Sequence, residues 1–104
     1  MPIKNRLSEL HGEIIGWRRD IHAHPELRFQ EYRTAALVAE LLRGFGCDEV
    51  VVGVGKTGVV GVIHGRQTTT DMAVGFRADM DALPLQEITG LAHASVHSGK
   101  MHAC

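Results

Sequence analysis

Apolar side chains at Ile3, Leu7, Leu10, Ile14, Trp17 and Ile21 recur at steps of three and four, which draws one stripe down a helix. Charged residues such as Arg6, Glu9, Glu13, Arg18 and Arg19 fall on the other faces. The pair His24-Pro25 ends the pattern, because proline disfavours the helical region for the residue before it. A second helix is predicted from Phe29 to Phe45, carried by Tyr32, Ala36, Ala39 and Leu42, with Gly44 and Gly46 marking its end. The period then shortens. Glu49–Val54, Val59–Ile63 and Met72–Phe76 are short runs rich in β-branched residues and bounded by turn formers, so three strands are expected. Gly55-Lys56-Thr57-Gly58 joins the first two as a tight hairpin, and Gly65–Asp71 joins the next two. These runs are apolar at consecutive positions, the mark of a sheet covered on both faces. Two helices shield one face only, so a bare face and a tendency to associate are expected.

The remaining bulk properties exclude classes. The chain has 104 residues, 44% hydrophobic and 22% charged, enough for one globular domain at most and too apolar for disorder. Eleven basic against twelve acidic side chains give a net charge of −1, which leaves no excess to hold a nucleic-acid backbone. No apolar run approaches the ~20 residues of a membrane span, and Met1–Arg6 is not followed by the apolar stretch of a secretory signal. Cys47 and Cys104 are too few and too far apart for a disulfide framework, so a reducing cytoplasmic setting is expected.

Gly53-Val54-Gly55-Lys56-Thr57-Gly58 has the letters of a dinucleotide fingerprint and of the end of a phosphate loop. Both require a helix next, whose N-terminal N–H groups hold phosphate, whereas a strand follows here. A glycine-rich hairpin is the expected reading. Arg77-Ala78-Asp79-Met80-Asp81 ends the third predicted strand, where residues two apart point the same way. Asp79 and Asp81 are therefore candidates for a metal or proton site, or partners neutralised by Arg77. The tail is denser in donors: His93, His97, His102 and Cys104 are the types zinc prefers. A solvated, histidine-rich loop is the alternative, and His11, His22, His24 and His64 read as surface or helix-end residues.

Four blocks, taken in order, resemble a known family. They are Trp17–Leu27, Thr57-Gly58-Val59-Val60, Phe76–Pro84 and His97–Cys104, and they look like the start of a hippurate hydrolase. These are metal-dependent N-acyl-amino-acid amidohydrolases related to aminoacylases and carboxypeptidases. The resemblance implies that residues 1–104 are the N-terminal part of a zinc-peptidase-like α/β catalytic domain, incomplete here. It implies a divalent metal, zinc or manganese, with Cys104 as a ligand through its thiolate. By the same resemblance Asp79 and Asp81 orient the site without ligating, His102 is not a ligand, and the other ligands and the glutamate base lie beyond Cys104. The implied substrate is a small N-acyl amino acid, with no nucleic-acid or membrane partner, and the intact relative is a homodimer. The fragment alone is then expected to be inactive, with Cys104 on a flexible tail. Two other readings stay open: a small non-enzymatic zinc protein using His93, His97, His102 and Cys104, and an inactive truncated gene product.

Overall fold

A computed structural model describes residues 2–67 and 69–104. Met1, Thr68 of the expected Gly65–Asp71 link, and the side chains of Pro2, Ile3 and Lys4 lie outside that description. The order of elements is α1 (Pro2–Ala23), α2 (Tyr32–Gly44), β1 (Glu49–Val54) and β2 (Gly58–Val62), an α/β arrangement. The chain divides into two compact units, one of residues 1–27 with 82–104 and the other of residues 28–81.

In the first unit, α1 opens on Pro2, whose missing N–H costs nothing in a first turn. It stops one residue before His24-Pro25, as expected, and Pro25 is fully buried. Its stripe is only partly covered: Leu10, Trp17 and Ile21 are half-buried, while Leu7 and Ile14 are exposed. Residues 82–104 have no helix or named strand. They are ordered by single backbone contacts, with Ala82 N donating to Glu26 O at 2.8 Å and Val96 N to Ala23 O at 2.8 Å.

In the second unit, α2 starts later than predicted. Phe29 has φ of 63°, outside the helical region, and Glu31 takes the N-cap position, its carbonyl accepting from Ala35 N at 2.8 Å. Past the C-cap Phe45 the chain turns at Gly46, whose φ of 86° suits glycine. Gly46 N donates to Arg43 O and Cys47 N to Leu42 O, which satisfies the last carbonyls. β1 and β2 form the expected antiparallel hairpin, with Val50 opposite Gly61 and Val51 opposite Val60. A register shift between Val52 and Val54 sits at Gly53, whose φ is 76°. The helix packs close against Gly61, where an added Cβ would lie 3.2 Å from Leu42 and 3.3 Å from the Cys47 sulfur. Val51 and Val60 share the opposite face and are exposed, the bare face expected where too few helices cover a sheet that is apolar on both sides.

The third expected strand is not formed. Among the described residues the sheet has two strands, and Met72–Phe76 pairs with neither. Met72, Val74 and Phe76 stand 87%, 83% and 97% exposed. β propensity expresses fit to a pleated, half-buried surface, and without a ladder partner it specifies nothing.

Candidate functional site

The tail of the first unit is held by a buried carboxylate. Glu87 has a side chain only 2% exposed, and a carboxylate in that position needs donors. It receives them from three places. The Thr89 hydroxyl donates to Oε2, Ser95 N donates to Oε1 at 3.0 Å, and His22 Nε2 lies 2.8 Å from Oε1. The Thr89 hydroxyl first, then the Ser95 N–H, hold the Glu87 carboxyl below the ordinary glutamate range; burial opposes them and His22 adds to them. Glu87 is thus ionised at neutral pH and only accepts, so His22 Nε2 carries the proton between them.

Neighbouring contacts extend the anchorage. Gln86 Oε1 accepts from the Ser98 hydroxyl at 3.0 Å and from Gly99 N at 2.8 Å. Leu83 and Met101 exchange a reciprocal pair of backbone bonds, at 2.9 and 3.0 Å. The 95–101 segment is therefore fastened at Ser95, Val96, Ser98, Gly99 and Met101. The tail is thus fastened at several points while part of it stays in solvent: Lys100, Met101 and His102 are half-buried, and Val96–Gly99, Ala103 and Cys104 are exposed.

His22 is the helix-end residue that the sequence allowed, in the last turn of α1, and it is not on the surface. Its side chain is 12% exposed, and the rings of His93 and His102 lie 5.8 and 6.5 Å away. His24 donates from Nδ1 to the Asp20 carbonyl at 2.9 Å, with the His97 ring at 6.4 Å. Glu87 was missed altogether because it sits in a stretch without hydrophobic period. One signal was available: it is the single acidic residue among positions 82–104, which hold three histidines.

The candidate site residues fall in different units. Asp79 and Asp81 lie in residues 28–81, and both are exposed. Arg77 Nη2 meets Asp79 Oδ1 at 2.9 Å, the neutralised pairing offered as an alternative, with both side chains largely in solvent. Cys104 lies in the other unit as an exposed free thiol, and Cys47 is a half-buried free thiol. Among the described residues no group of three or more His, Cys, Asp or Glu is arranged to hold a metal ion. Cys104 fits the part of one donor: a soft, accessible thiol three residues beyond an anchored backbone pair. The glycine-rich 53–58 stretch runs directly into β2, so no helix N-terminus is present there to hold a phosphate.

Comparison with known proteins defines the class. The fold is similar to that of an M20-family peptidase: the solved Bacillus subtilis YXEP protein, described as a dinuclear metal-binding peptidase, superposes with a TM-score of 0.83 at 42% identity. The match covers 93% of this chain and 26% of that one. Two curated relatives are more particular. The hippurate hydrolase of Campylobacter jejuni is 51% identical over the whole chain, which covers 26% of it. The N-acyl-L-amino acid amidohydrolase of Geobacillus stearothermophilus is 46% identical over 98% of the chain and 27% of its own length. The resemblance carried by the four sequence blocks therefore holds, and the chain spans about a quarter of the length of the curated relatives it matches. No protein-family model matches the chain.

Proposed function

We propose that these residues are the leading part of the catalytic domain of a metal-dependent hydrolase that cleaves the amide bond of N-acyl amino acids, hippurate-type substrates among them. The observation that carries this is the end-to-end match to a hippurate hydrolase at 51% identity. Its likeness to a dinuclear metal-binding peptidase supports the metal. In this reading Cys104 gives a thiolate to a divalent ion, zinc or manganese, and Asp79 and Asp81 orient groups around it. When bound, such an ion polarises the amide carbonyl and lowers the pKa of a water toward neutrality. This chain's own contribution is placement: Glu87, Gln86 and Leu83 fix the segment that leads to Cys104. The proposed compartment is the cytoplasm, supported by two free cysteines, and the intact protein is proposed to be a homodimer by resemblance. No helix among the described residues is long and apolar enough to cross a membrane.

The test begins with the coding DNA past the Cys104 codon. An open frame is expected, and its product should hydrolyse hippurate in a metal-dependent way that chelation abolishes. Cys104→Ala should remove metal and activity together. The 104-residue chain alone should show no turnover, because one donor without a general base forgoes most of the rate enhancement. A stop codon together with a tight one-to-one zinc site, lost on replacing any of His93, His97, His102 or Cys104, would replace this reading with the small zinc protein.

A further inference from the structure

A carboxylate is an expensive way to fill an interior position, and Glu87 occupies one where an apolar side chain would cost less. What it supplies instead is direction. Its two oxygens take a hydroxyl from its own loop, an N–H from Ser95, and the Nε2 of His22 in the last turn of α1. Those partners lie 2, 8 and 65 positions away, so one side chain ties a helix end to the segment that carries Cys104. Next to it, Val96 N reaches Ala23 O, also in the last turn of α1. Apolar packing contributes little here, since among the described residues of this unit the fully buried apolar side chains are small, Pro25 and Ala82.

We infer that Glu87, acting with His22, is a positioning residue that sets where Cys104 is delivered. The inference rests on the proposed role of Cys104 as a metal donor. Glu87 touches neither metal nor substrate. It acts through the backbone from Ser95 to Met101, and its carboxylate matters more than its bulk because the groups facing it are donors.

The test uses the 104-residue chain with Cys47→Ser, so that Cys104 is the only thiol, and two readouts. The first is amide hydrogen exchange at Ser95 and Val96, compared with amides of the β1–β2 hairpin. The second is titration with cadmium ions, followed by the ultraviolet thiolate-to-cadmium absorbance. Glu87→Gln places an amide N–H₂ among donors. It should speed exchange at Ser95 and Val96 about tenfold while leaving the hairpin unchanged. It should also raise the cadmium half-saturation about tenfold, the range seen when groups behind a metal ligand are lost. His22→Gln, which keeps an N–H toward Glu87, should stay near the parent in both, and His22→Leu should behave like Glu87→Gln. If Glu87→Gln fails to fold by circular dichroism, the contrast between the two His22 variants decides. Unchanged exchange in both Glu87→Gln and His22→Leu would overturn the inference. So would faster exchange with an unchanged cadmium titration, since the role is then structural only. A parent absorbance that survives Cys104→Ala would remove the proposed donor role itself, and the inference with it.

Discussion

Glu31 and Glu87 are both buried carboxylates, yet they organise their units differently. Glu31, 6% exposed, accepts from Phe29 N at 3.0 Å and from the Thr57 hydroxyl, at the edge of a unit already assembled by a helix lying on a hairpin. It ties together two turns in unusual conformations. Phe29 and Lys56 both have positive φ, 63° and 87°, and the Lys56 ammonium lies 5.4 Å from the Phe29 ring centroid. Glu87 works where no repeating structure exists, joining a helix end to irregular backbone. A helix and a strand pair satisfy their own backbone groups, so apolar contact suffices to join them. Loops meeting a helix end must be specified bond by bond, and one acceptor with several donors does that.

The contrast can be broken from either side. The largest effect is expected at Gly58→Ala. A Cβ there would lie 2.4 Å from the Val54 carbonyl oxygen, a backbone atom that cannot step aside without reopening the hairpin. A loss of about 3 kcal/mol is expected in urea unfolding followed by exchange at β1 and β2 amides, with Ser95 and Val96 unaffected. Equal loss in both units would show that they are not independent. Thr57→Val comes next, since it leaves Glu31 buried without one donor, at a cost of about 2 kcal/mol confined to residues 28–81.

Acid should single out the other unit. The Glu87 carboxyl is held below the ordinary glutamate range, so its stabilisation is complete above that range. It is lost as pH falls through Glu87's own, lower value. Protection of Ser95 and Val96, corrected for intrinsic exchange, should decline there, and Glu87→Gln should flatten the profile. Parallel profiles for parent and variant would refute the assignment. The smallest effect is expected at Asp79→Asn. Its pair with Arg77 is solvent-exposed and screened, so stability should move by less than about 0.5 kcal/mol in the same urea experiment.

Periodicity made the helices and the hairpin legible, because each is a local pattern closed by a local signal: Pro25 after α1, Gly46 after α2, Gly55 in the turn. The start of α2 was misplaced by the Phe29 turn, which depends on Glu31 and on Lys56, far along the chain. The third strand was misread for the opposite reason. Its residues have the right propensity but no partner edge, and a strand exists only as a pair. In the tail, histidines and a terminal cysteine advertised donors, while the contact that orders them joins His22 to Glu87 across 65 positions, a separation to which no sequence period extends.

The reciprocal bonds between Leu83 and Met101 close residues 84–100 into a ring fastened at its base. Within that ring, Gly90 has φ of 69°, is exposed, and an added Cβ there meets nothing within 4 Å. Closing a loop becomes costlier only slowly with length, by about 0.6 kcal/mol for each doubling. The stretch between Thr89 and Ser95 is thus a place where length can vary while the fastening holds. The size of this arc can change while the Leu83–Met101 base stays closed, so that growth and placement are decoupled within one short segment.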